Sequence, residues 1–300
     1  MTADLLDYPN VPEMFEVAKR ILGYDILDVC LNGPKSLLNR TDCSQAAVFL
    51  TSLASVEKLR FQKPKAVENC VAAAGFSVGE VAALVLAGAL DFEDALRLVR
   101  VRGEAMKAAA EECPSGLMNV IFGADARIKL ACQSASEWCL RKGIPADQAV
   151  CAVAYYLFPH CKVIGGHEDA LRFLEDNKAD FGFKKCRRLP DAGAFHTSLM
   201  RSAAIRFQAA LDKTRVSDPK IPVISNTEAV AMKTEKRVRE QLLWQVCRPV
   251  RLEQVLHDMY SRPKESSLPF TFQCGPGTSL LDILDKVNLR ARRQANRVYS

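Results

Sequence analysis

Ser77 stands in Gly75-Phe76-Ser77-Val78-Gly79, after the apolar run Val71-Ala72-Ala73-Ala74 and before Glu80-Val81-Ala82-Ala83-Leu84-Val85-Leu86. That order reads as buried strand, tight turn and apolar helix. A serine on such a turn projects its hydroxyl off the sheet, and the flanking glycines let strand and helix backbones approach. The N–H of Val78, at the helix N-terminus, is placed to stabilise an oxyanion. The chemistry implied is nucleophilic acyl transfer or hydrolysis. A lone G-x-S-x-G is a weak signal; its strand–turn–helix setting strengthens it.

A serine hydroxyl needs a base, and the chain has four histidines: His160, His167, His196 and His257. His160 reads as a turn residue, His167 as a helix start and His257 as an ordinary helix-surface residue. His196 ends the small-residue loop Pro190-Asp191-Ala192-Gly193-Ala194-Phe195 and precedes a helix. An imidazole there can face a cleft, so His196 is the candidate base.

Further segments share this order along the chain: Val99-Arg100-Val101-Arg102-Gly103-Glu104, Gly193-Ala194-Phe195-His196, Gln245-Val246-Cys247-Arg248-Pro249-Val250-Arg251 and Phe272-Gln273-Cys274-Gly275-Pro276-Gly277. Together with the Ser77 segment they resemble, in family order, the motifs of malonyl-CoA:acyl carrier protein transacylases. Phe76, where bacterial members usually carry His, is similar to the animal mitochondrial branch. The resemblance implies Ser77 as nucleophile, His196 as base, Val78 N–H in the oxyanion hole and the Gln245 carbonyl orienting the histidine. It implies Arg102 as the clamp for the malonyl carboxylate and Phe195 as a determinant of malonyl over larger acyl groups. Without it, Arg97, Arg100 and Arg102 all read as helix-surface charges. The implied partners are malonyl-CoA, as substrate, and acyl carrier protein, with no other cofactor and a mitochondrial setting.

The chain also departs from the family pattern. Members usually open with a strand ending in P-G-Q-G-S-Q, which supplies a second oxyanion donor. No Gly-Gln-Gly occurs in these 300 residues. The expectation for residues 1–300 alone is therefore weak acylation and an unpaired sheet edge. Leu252 stands where Trp is common, Gln273 where Glu is usual, and Tyr155 where members often carry Asn. A serine hydrolase, or a truncated inactive chain that only binds a carrier, are the other readings; the carboxylate clamp at Arg102 speaks against the hydrolase.

Composition sets the frame. A chain of 300 residues, 49% of them hydrophobic, can bury a large core. Its longest apolar run, Val81 to Leu90, is about ten residues, too short to cross a membrane. Eleven dispersed cysteines without metal-ligand spacing suit a reducing compartment, and no metal site is expected. The net charge of +6 lacks the basic–aromatic interleaving of a nucleic-acid binder. Basic residues cluster at Lys184, Lys185, Arg187 and Arg188, which read either as a solvated face or as a landing area for acidic partners.

The elements that must position these residues follow from periodicity. Helices are expected over 11–31, 44–59, 77–87, 91–110, 197–214, 235–246 and 249–261. Between Gly116 and Pro190 the order is β-α-β-β-α-β, a ferredoxin-like signature. The expected fold is α/β: an α/β-hydrolase-like core (1–115 and 190–300) with an inserted ferredoxin-like subdomain (116–189). Ser77 and His196 would face the cleft between them.

Overall fold

The computed structural model describes residues 3–190, 192–263 and 266–298; Asp191 of the histidine loop lies outside them. Helices α1 (Val11–Leu22), α2 (Ile26–Asn32), α3 (Lys35–Asn39), α4 (Thr41–Gln62) and α5 (Pro64–Glu68) lead to strand β1 (Ala73–Ala74). Helices α6 (Gly79–Leu86) and α7 (Phe92–Glu111) follow. The helix expected over 11–31 is two helices. Gly23 adopts φ 80° and closes α1 by donating its N–H to the Lys19 carbonyl, and Asp25 then caps α2 by accepting from the Asp28 N–H. Helix α4 is buried along most of its length, including Ala46, Phe49, Leu50 and Ala54. A helix buried on nearly all sides forms the core rather than a surface stripe, and α4 packs against α7 and α6.

The middle of the chain has the expected β-α-β-β-α-β order. It runs β2 (Ser115–Phe122), α8 (Ile128–Arg141), β3 (Cys151–Phe158), β4 (Cys161–His167), α9 (Glu168–Asp176) and β5 (Phe183–Leu189). Met118, Val120, Ile164 and Phe183 face α8 and α9 and make a separate apolar cluster with Ala131, Ala135 and Leu174. The other face of this sheet, with Leu117, Tyr155 and Val163, packs towards Phe76 and Phe195. That second packing brings the sheet up to the turn at Ser77.

The remainder runs α10 (Arg201–Leu211), β6 (Val223–Ile224), β7 (Ala231–Met232), α11 (Glu235–Cys247), β8 (Val250–Arg251), α12 (Leu252–Tyr260), β9 (Thr271–Cys274), α13 (Ser279–Val287), α14 (Leu289–Arg292) and β10 (Ala295–Val298). Strand β1 pairs in parallel with β6, which pairs antiparallel with β7. The helix expected over 249–261 starts later. Val250 and Arg251 are strand, paired in parallel with Tyr155 and Tyr156, so the five-stranded order is β5-β2-β4-β3-β8. Pro249 keeps Arg248 before it in extended backbone, and buried, β-branched Val250 suits a strand. All eleven cysteines are free.

Candidate active site

Strand β1 delivers the chain into a turn at Ser77, whose φ is 52°. A non-glycine residue in the left-handed region costs about 1–3 kcal/mol and persists only where its surroundings hold it. Asn226, just after β6, supplies that hold. Its Oδ1 accepts from the Ser77 N–H at 2.7 Å, and its Nδ2 donates to the Gly75 carbonyl at 2.6 Å. A Cβ on Gly75 would fall 2.0 Å from the Gly79 carbonyl, so no larger residue fits between strand and helix. The Val78 N–H, at the N-terminus of α6, makes no hydrogen bond among the described residues and is free for an oxyanion.

His196 also has a left-handed backbone, φ 60°, and is 1% exposed. Its Nε2 lies 2.8 Å from Ser77 Oγ and its Nδ1 2.6 Å from the Gln245 carbonyl oxygen. A carbonyl can only accept, so Nδ1 carries the proton and donates to it. That leaves the Nε2 lone pair facing the serine hydroxyl, the tautomer a general base requires. The orienting group comes from the last turn of α11, where backbone carbonyls lack intrahelical partners. Burial first, and the Arg102 charge second, pull the imidazole pKa from 6.5 down to about 3.

Arg102, on α7, is 1% exposed. Its Nη2 donates to Ser77 Oγ at 3.1 Å and to Gln245 Oε1 at 2.7 Å, and its Nη1 donates to Gln45 Oε1. Among the described residues no carboxylate forms an ion pair with it; the partners are neutral amides and a hydroxyl. A buried guanidinium paired only with neutral acceptors is costly, and a planar fork beside Ser77 suits a carboxylate ligand that would replace them. Glu80 is the nearest buried acid. It accepts from the Asn226 N–H at 2.8 Å and from Gln245 Nε2, which also donates to the Ser77 carbonyl at 3.0 Å. Burial pushes Glu80 up to about 8 and Arg102 down to about 10, and their mutual attraction opposes both shifts.

The sequence candidates Ser77, Val78, Arg102, His196 and Gln245 therefore meet at one point. Half-buried Phe195 packs beside it. The other histidines are elsewhere: His160 in the β3–β4 turn against Phe122, His167 capping α9, His257 on α12. Arg97 pairs with Glu93 and Asp94, and Arg100 donates to the Ile21 carbonyl, as helix-surface residues do. Gln45, Glu80 and Asn226 escaped sequence reasoning. The only trace was a polar residue inside an apolar run. Among the described residues no group of His, Cys, Asp or Glu could hold a metal ion, and no helix is long and apolar enough to cross a membrane.

The model of the acyl transferase domain family matches residues 10–264. A probable mitochondrial malonyl-CoA-acyl carrier protein transacylase from Drosophila melanogaster is 46% identical over 300 residues, all of this chain and 79% of that one. This chain belongs to the malonyl-CoA-acyl carrier protein transacylase family. The mitochondrial transacylase of Homo sapiens is 45% identical over 291 residues, 97% of this chain and 74% of its own. The solved malonyl CoA-acyl carrier protein transacylase of Coxiella burnetii superposes with a TM-score of 0.83 at 29% identity, covering 98% of this chain and 87% of that one. Malonyl, the group these relatives' names carry, is an acyl group with a free carboxylate.

Proposed function

We propose that this chain moves malonyl from coenzyme A to the phosphopantetheine thiol of acyl carrier protein, through a malonyl-serine intermediate, in fatty-acid synthesis. The observation that carries this is the buried Arg102 fork 3.1 Å from Ser77 Oγ. A hydrolase of neutral esters has no use for it. In the first half-reaction His196 Nε2 takes the Ser77 proton as Oγ attacks the malonyl thioester carbonyl. The Val78 N–H faces the oxyanion and Arg102 holds the far carboxylate. Collapse expels the coenzyme A thiolate, which takes the proton back from His196. In the second half-reaction His196 deprotonates the carrier thiol, which attacks the ester, and the proton returns to Ser77. The Gln245 carbonyl holds the imidazole throughout, and Phe195 narrows the acyl site.

The setting is mitochondrial, as the names of the fly and human relatives say of those proteins. The fold reading at finer grain is an α/β-hydrolase-like core over 1–115 and 190–300 with a ferredoxin-like subdomain over 116–189. What supports the second is the β5-β2-β4-β3 order with both helices on one face. Incubation with malonyl-CoA, with and without acyl carrier protein, tests the function. Malonyl-carrier is expected. Free malonate would make the chain a hydrolase, and neither product would leave it a binding protein.

A further inference from the structure

We propose that Tyr155 is a positioning residue for His196, its ring holding the imidazole with Nε2 towards Ser77 and screening it from water. The proposal rests on the reading of Ser77 and His196 as the acylating pair. The two rings meet edge to face, with centroids 5.2 Å apart and planes at 63°, a favourable geometry for an aromatic pair. On its other side Tyr155 packs against Phe76, also at 5.2 Å, the residue just before the nucleophile. One side chain of the small sheet thus spans the segments that carry both reacting groups.

The strand is built to deliver it. Pairing of β3 with β4 slips between Val153 and Tyr155, so Ala154 is the extra residue of a bulge. A bulge re-aims the side chains around it, and both Ala154 and Tyr155 join the cluster on the cleft face. Tyr155 also sits opposite Val250 of β8, which follows closely on Gln245. The ring is therefore on β3, and the carbonyl that binds His196 Nδ1 is on the helix that leads into β8, the strand paired with β3. This matters most after the first half-reaction. Once Ser77 is acylated, its hydroxyl no longer ties Nε2, and the imidazole is held by backbone only, chiefly through the Gln245 carbonyl. A single hydrogen bond leaves rotation about its axis open; a packed ring closes it.

The groups facing His196 are the Arg102 guanidinium from α7, Ser77, the backbone at Gln245 and Arg248 at the end of α11, and, through Gln245, Glu80 from α6. The Tyr155 phenol is shifted upward by burial and so stays neutral. Loss of its ring therefore acts by admitting water, not by changing charge. Admitted water returns the imidazole towards its ordinary basicity, so the acid limb of the rate moves to higher pH.

The test measures malonyl-serine formation and its transfer to carrier, against pH, in wild type, Tyr155→Phe, Tyr155→Leu and Tyr155→Ala, with melting temperatures alongside. Tyr155→Phe is expected to keep both rates within about threefold and the wild-type pH profile. Tyr155→Leu, which fills the space without an aromatic edge, and Tyr155→Ala are expected to lose about tenfold or more in kcat. Their KM for malonyl-CoA should change little and their acid limb should rise. Unchanged kcat and pH profile in Tyr155→Leu would overturn the proposal, as would equal damage in Tyr155→Phe, which would make the hydroxyl the active part. Absence of any malonyl-serine in wild type would instead indict the Ser77 reading.

Discussion

The selectivity proposed for Arg102 follows from its isolation. It is buried among amides and a hydroxyl, with no carboxylate paired to it among the described residues. Arg102→Ala should cost malonyl transfer about 2–4 kcal/mol, because the substrate carboxylate would enter the site unpaired. Acetyl transfer should fall far less. An equal loss for both acyl groups, measured as kcat/KM, would make Arg102 structural. His196 carries a second expectation. Its pKa is drawn from 6.5 to about 3 by burial and the Arg102 charge, so the imidazole is neutral throughout the neutral range. The acid limb of kcat/KM, which reports the free enzyme, should lie nearer 3 than 6.5. The stability sign follows from the same shift. Below 6.5 the unfolded chain protonates this histidine and the folded one does not, so its contribution to stability is lost as pH falls from about 6.5 to 3. A limb near 6.5 would mean that water reaches the imidazole.

At the level of elements, the nucleophile turn depends on Asn226 as much as on its own sequence. Asn226→Ala removes the acceptor for the Ser77 N–H and the donor to the Gly75 carbonyl. Each loss leaves a buried or half-buried backbone group unpaired, at about 1–3 kcal/mol. Malonyl-serine formation should drop and the melting temperature should fall with it; a variant that melts and acylates as wild type does would show that the turn holds itself. Much of this arrangement was legible in the chain. Ser77, the glycines around it and the helix behind it are local, and the β-α-β-β-α-β order between Gly116 and Pro190 is the one periodicity gave. What was not legible is long-range. Gln45 meets Arg102 across 57 positions, Asn226 meets Ser77 across 149 and Gln245 meets Glu80 across 165. No window of sequence holds both partners. The break at Gly23 shows a different limit: apolar spacing carried on into α2, while a single left-handed glycine ended α1. At Val250 tertiary pairing with β3 overrode a helical pattern that resumes two residues later.

Across the whole molecule, the excess of positive charge is unevenly used. Arg188 is engaged with Glu168 and Glu175 across the sheet edge. Lys184, Lys185 and Arg187, on the same edge strand β5, are exposed and have no carboxylate partner among the described residues. They remain the candidate landing area for an acidic carrier. The double reversal K184E/K185E should raise the KM for acyl carrier protein several-fold and flatten its dependence on salt, mainly through the association rate. Formation of malonyl-serine from malonyl-CoA should not change. An unaltered carrier KM would place docking elsewhere on the surface.

The proposed reaction depends on one bond between Ser77 Oγ and a malonyl group. Intact-mass analysis after brief exposure to malonyl-CoA tests it most directly. Wild type should gain the mass of one malonyl group, mapped by peptide analysis to Ser77, and discharge it when acyl carrier protein is added. Ser77→Ala should gain nothing, and His196→Ala should acylate about a hundredfold or more slowly. A malonyl adduct that persists in Ser77→Ala, or that acyl carrier protein leaves in place, would contradict the account.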